Sequence, residues 1–167
     1  RGSSPQGVTS FGRDVVRGCE ALGIVIDLAH LNPAGVDDVL AMTSKPLILS
    51  HTNSRRYYDI ERNSSDAQIK AVAARGGVIG VNSVLVSPTK EGATLDRYID
   101  HIEHIVALGS IDAVGIGFDF FEFIYVTMPR HVLDALVKDG GLHFVPGLTH
   151  HGHARNLTRR LIERGWD

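Results

Sequence analysis

Three short apolar runs in this chain stop on a side chain able to bind a metal or move a proton. Runs 24–30 and 47–51 end on His30 and His51, and run 113–119 ends on Asp119. A further run, 78–82, ends on Asn82. Neutral imidazole is a favoured zinc ligand, and a carboxylate beside it can accept or deliver a proton. In parallel α/β architectures neighbouring strand ends share a level, so these side chains are expected to meet on one rim. A lone strand-end histidine is more often a packing residue, whereas three agreeing strands favour a metal reading. This is a constellation, not a local motif.

Arg62 lies between the second run and a capped helix, on a loop that would cover the same rim. An arginine there suits bidentate capture of a carboxylate, although a solvated loop arginine is the commoner case. His101 and His104 match neither H-E-x-x-H nor H-x-x-E-H and read as a solvated helix face. His143, His150, His151 and His153 crowd the last loop, either lining the rim or standing exposed. Gly115 and Gly117 lack the third glycine and following helix of a nucleotide fingerprint, so they read as close-packing positions. Cys19 has no paired histidine in view and reads as core.

The elements that must hold these residues alternate between β-branched runs and helical periodicity, the pattern of a parallel α/β sheet. Residues 10–22 read as a helix with Val15, Val16, Cys19 and Leu22 on one face and Gly23 as its stop. Asn32 followed by Pro33 opens a second helix that runs to about Met42. Ser65 and Gln68 have capping-box spacing ahead of Ile69, Val72 and Ala73. Thr94 caps a helix carrying Leu95, Tyr98, Ile99, Ile102, Ile105 and Val106, which Gly109 ends. A helical piece is expected near 131–137, and a closing helix over 154–164.

The chain has 167 residues, so four such units make half of a (β/α)8 barrel, which takes about 250 residues, or else a small open doubly wound sheet. The opening helix lacks the strand that precedes it in a βα repeat, which favours a half-barrel forming a single domain. Seventeen Lys and Arg stand against nineteen Asp and Glu, a net charge of −2 that gives nucleic acid no basic field to follow. No apolar run reaches the roughly 18 residues of a membrane span. One cysteine forms no internal disulfide, which fits a reducing, cytoplasmic setting. The first residue is Arg, not Met, which leaves room for an upstream start and an export signal.

Taken together, these segments resemble the membrane dipeptidase (renal dipeptidase) family of the amidohydrolase superfamily, along nearly the whole chain. The resemblance rests on Gly23-Ile-Val-Ile-Asp-Leu-Ala-His30, Lys45-Pro-Leu-Ile-Leu-Ser-His51, Arg62-Asn63, Gly76-Gly-Val-Ile-Gly-Val-Asn82 and Gly115-Ile-Gly-Phe-Asp-Phe120. Pro146-Gly-Leu and Asn156-Leu-Thr-Arg-Arg-Leu-Ile-Glu-Arg-Gly165 complete it. It implies a TIM-like barrel with two zinc ions, of which this chain supplies strands five to eight. His30 and His51 would be ligands of the second zinc, and Arg62 would hold the terminal carboxylate of a small dipeptide. Asp119 would contact the substrate amine and pass a proton to the leaving nitrogen, while a metal-bridging hydroxide attacks the peptide carbonyl.

Two departures qualify what the resemblance implies. The family's His-x-Asp and bridging glutamate fall upstream of these residues, so the 167-residue chain alone is expected to bind zinc poorly and to be inactive. Many relatives also read Asp-Phe-Asp-Gly where this chain has Asp119-Phe-Phe-Glu122, which bears on side-chain preference. The competing readings are deamination or lactone hydrolysis on the same scaffold, or an inactive half-barrel acting as a structural module. A half-barrel exposes unpaired strand edges and is expected to pair with its missing half or with another copy in a homo-oligomer.

Overall fold

The computed structural model describes residues 6–132 and 142–167. Helix α1 spans Ser10–Ala21 and α2 spans Pro33–Met42; strand β1 (Ile48–Thr52) follows. Next come α3 (Asp66–Ala73), β2 (Val78–Val81), α4 (Leu95–Leu108) and β3 (Val114–Ile116). A short α5 (Glu122–Thr127) and the closing α6 (Ala154–Glu163) complete the order. Among the described residues β1, β2 and β3 form one parallel sheet in that order.

The helix starts obey short-range chemistry. The Asn32 side chain accepts from the Gly35 amide with Pro33 in the first turn, and Ser65 and Gln68 form the reciprocal capping box of α3. Thr94 accepts from the Arg97 amide at the start of α4. Gly23 ends α1 with φ 72°, a left-handed turn that glycine takes without strain. Parallel strands need crossovers, and α3 and α4 supply them, packing Ile69, Val72, Ile99 and Ile105 onto Ile79 and Val81. Each of these side chains is fully buried, and each burial is favourable by about 1.5–3 kcal/mol.

The first expected strand, 24–30, is not a strand but a single parallel bridge between Asp27 and Ile48. The Leu28 amide donates to the Ile48 carbonyl at 2.8 Å and the Ile48 amide to the Ile26 carbonyl at 3.1 Å. A longer ladder would next use the Ser50 amide, but that amide donates to the Asp27 carboxylate at 3.1 Å. The side chain thus replaces the backbone partner and the ladder stops. Ile24 and Val25, expected to be buried, are 54% and 63% exposed on this edge. Helix α1 departs similarly: Val16 is buried, Cys19 is half-buried, and Val15 and Leu22 are exposed. The fourth strand is shorter than expected, although the Gly117 amide still reaches the Val81 carbonyl at 3.1 Å. Most of the helical piece expected near 131–137 lies outside the described residues.

Strand β1 shifts register between Leu49 and Thr52. That irregularity turns the Ser50 carbonyl towards two glycines. A Cβ on Gly80 would lie 2.1 Å from this oxygen, and one on Gly117 would lie 2.0 Å from it. Both glycines therefore serve close backbone approach, as their spacing implied for Gly117. Gly80→Ala is expected to destabilise the fold by about 1–3 kcal/mol. Urea unfolding would show this, and an unchanged midpoint would contradict it.

Candidate functional site

Strand β1 ends beside the 27–30 turn, and the two histidines meet there. His51 Nε2 lies 2.9 Å from His30 Nε2, with ring centroids 4.9 Å apart. Asp119, three residues past the end of β3, places a carboxylate oxygen 3.8 Å from His51 Nε2. The backbones of His30 and Asp119 are left-handed, with φ of 70° and 54°. Such values cost a non-glycine residue energy and concentrate at functional positions. The three side chains thus occupy one rim, with His51 20% exposed and Asp119 38% exposed.

Two residues that the sequence reading passed over orient His51. The Asp27 carboxylate accepts from the amides of Ala29 and Ser50 and from the Ser50 hydroxyl. The Ser50 oxygen lies 2.7 Å from His51 Nδ1. With its own proton directed at Asp27, the hydroxyl accepts from Nδ1–H, which leaves the Nε2 lone pair facing His30. Carboxylate-backed imidazoles of this kind are how proteins fix a ligand's tautomer. Burial works against charge on Asp27, but these hydrogen bonds outweigh it and hold its pKa below the ordinary value. The signal was legible, since Asp27 lies in the run that ends at His30.

Burial, reinforced by the Arg62 guanidinium, lowers the pKa of His51, while Asp119 and Asp27 pull more weakly the other way. The neutral imidazole is the form that can ligate a metal. Arg62 is half-buried on the β1–α3 loop, where its Nη2 donates to the His51 carbonyl at 3.0 Å. It also borders a shallow recess floored by Leu28, Val36 and Leu49. Asn82 is buried, and its side-chain oxygen accepts from the Val84 amide at 2.9 Å.

The remaining histidines divide. His151 packs edge-on against Phe120 at 5.1 Å, next to Asp119. His150 and His153 lie against each other with tilted rings, centroids 3.8 Å apart, and His143 is half-buried. His101 and His104 contradict the expected solvated face. His101 is completely buried, and His104 meets Asp66 at 2.8 Å. The reason is helical geometry: position 101 lies three residues after Tyr98 and four before Ile105, inside the apolar stripe.

Two imidazole nitrogens on one tetrahedral zinc lie about 3.3 Å apart, so a pair at 2.9 Å needs only a small ring displacement to fit. No group of three or more His, Cys, Asp or Glu among the described residues is arranged to hold an ion. The donor chemistry therefore fits part of a coordination shell. Among the described residues no helix is long and apolar enough to cross a membrane.

An uncharacterised dipeptidase of Schizosaccharomyces pombe is 36% identical over 118 residues, 69% of this chain and 29% of that protein. A dipeptidase of Clonostachys rogersoniana is 31% identical over 114 residues, 68% of this chain and 29% of its own length. The matched stretch is thus under a third of these relatives. A metallopeptidase from Rhodobacter sphaeroides, solved with a phosphinate mimic of the dipeptide L-Ala-D-Ala, superposes with TM-score 0.79 at 25% identity. That match covers 98% of this chain and 43% of the other. An amidohydrolase from Pseudomonas aeruginosa gives TM-score 0.79 at 28% identity, over 96% of this chain and 52% of its own. The α/β fold is therefore that of these enzymes, and the membrane dipeptidase family model matches residues 1–167. The chain belongs to the membrane dipeptidase family, peptidase family M19.

Proposed function

We propose that the protein carrying this chain is a zinc-dependent dipeptidase, and that residues 1–167 form one domain, the C-terminal half of its (β/α)8 barrel. The observation that carries this is the 2.9 Å meeting of His30 and His51 with Asp119 3.8 Å away. His30 and His51 would hold one ion of a two-zinc site whose other ligands lie elsewhere in the protein. Bound zinc polarises a carbonyl and activates water. Asp27 and Ser50 keep the His51 Nε2 lone pair on the rim. Asp119 takes a proton and gives it to the departing amide nitrogen. The Arg62 guanidinium, held against the His51 carbonyl, binds the dipeptide's terminal carboxylate.

Arg62 makes the reading testable. In the dipeptide-hydrolysing protein, Arg62→Ala should raise KM for free dipeptides by about 10- to 100-fold, the loss of one charge-assisted contact. The effect on kcat should be smaller. A dipeptide amide, which lacks the carboxylate, should lose little. Unchanged KM would remove Arg62 from carboxylate binding, and better turnover of a neutral lactone or a nucleobase than of any dipeptide would replace the peptidase reading with another amidohydrolase reaction.

A further inference from the structure

His101 does no chemistry at the rim, yet it is completely buried and both its ring nitrogens are engaged. The Ser54 amide donates to Nδ1 at 3.0 Å. Because an amide can only donate, Nδ1 is the acceptor and Nε2 carries the proton, which it donates to the Val86 carbonyl, also at 3.0 Å. Ser54 opens the loop that carries Arg62, and Val86 belongs to the loop that follows β2. One imidazole, reaching across from α4, joins these two loops.

The joint has company. The Asn53 amide group donates to the Val84 carbonyl at 2.6 Å, and that of Asn63 donates to the Leu85 carbonyl at 3.2 Å. With His101 on Val86, three consecutive carbonyls are each taken by a side chain. Leu85 at their centre has φ 59°, a conformation that needs such support. The same loop reaches the third strand end: the Ser83 amide and hydroxyl both donate to the Phe118 carbonyl, beside Asp119. Tyr57, from the Arg62 loop, packs edge-on against His101 at 4.9 Å, and Arg97 covers its ring at 4.7 Å. Arg62 and Asp119 thus stand at opposite ends of one hydrogen-bonded frame.

We propose that His101 is a positioning residue of the site: by accepting from Ser54 and donating to Val86 it holds the Arg62-bearing loop in register with the loop after β2, which in turn bonds Phe118 beside Asp119. This deepens the dipeptidase reading and rests on it for its kinetic consequence. Its structural consequence stands alone. Losing the clamp loosens the carboxylate-binding loop while the three rim side chains remain in place.

The test compares His101→Leu, which removes both bonds, with His101→Asn, whose carbonyl oxygen can replace Nδ1 as the acceptor for Ser54. Two readouts are taken on the intact protein. Hydrogen exchange at the Ser54 amide, set against amides of β2, should quicken at least tenfold in His101→Leu and stay near wild type in His101→Asn. KM for a dipeptide should rise about tenfold in His101→Leu, with kcat within about threefold, and His101→Asn should restore most of it. Unchanged Ser54 exchange in His101→Leu would overturn the clamp. So would a kinetic loss confined to kcat, or one equal in both variants. If His101→Leu does not fold, His101→Asn decides through Ser54 protection: retained protection supports the clamp and lost protection overturns it. If the protein hydrolyses no dipeptide, the dipeptidase reading fails while the exchange measurement still decides the clamp.

Discussion

Asp119→Asn should lower kcat on a dipeptide by about 100- to 10,000-fold, the range for removing a general acid–base group. The substitution isolates proton transfer. Asparagine has the same shape and tolerates the left-handed backbone at φ 54° better than most residues, so fold and rim geometry should survive. The side chain is 38% exposed and approaches His51 at 3.8 Å, so little packing is lost. The variant should keep the wild-type Tm and circular dichroism, with KM changed far less than kcat. Steady-state kinetics at pH 7 check this. A kcat within threefold of wild type would remove Asp119 from the chemistry.

A second large effect lies in the dependence of stability on pH. Burial, first, pushes His101 down to about 4, with Arg97 and His104 adding to the shift while the bond to Val86 and the Asp100 carboxylate oppose it. Unfolded, the same imidazole titrates near the ordinary value of 6.5. Between these values the unfolded chain takes up a proton that the folded chain refuses. The contribution is therefore complete above about pH 6.5 and is lost as pH falls towards 4. The difference amounts to roughly 3 kcal/mol. Charging the ring would also give Nδ1 a proton that faces the Ser54 amide. Urea unfolding between pH 4.5 and 7.5 should show the fall, and His101→Asn should flatten it. An identical slope in the variant would assign the acid sensitivity to other groups.

How much was legible varies with the range of the interaction. The caps at Asn32, Ser65 and Thr94 and the stops at Gly23 and Gly109 were readable because donor and acceptor lie within four residues of each other. The meeting of His30, His51 and Asp119 on one rim was readable too, although only His51 lies within a strand; His30 sits in the turn after the Asp27 bridge and Asp119 just past β3. Less visible was the loss of the first strand. Nothing in the apolar run 24–30 announces that the Asp27 carboxylate will take the Ser50 amide from the ladder. The Asp27–Ser50–His51 relay had a partial signal, because the aspartate sits in the histidine's own run. His101 had a stronger one, since its position on the stripe of Tyr98 and Ile105 outweighs its polar character.

By itself the sequence determined the capped helices, the parallel alternation and the residue types offered at the rim, because each follows from periodicity and contacts within a turn or a strand. Only the tertiary structure decided which polar groups satisfy one another. His101 answers Ser54 across 47 positions, Ser83 answers Phe118 across 35, and His51 meets His30 across 21. The physical reason is that a buried donor takes whichever acceptor the packing brings within about 3 Å, and that choice leaves no period in the chain.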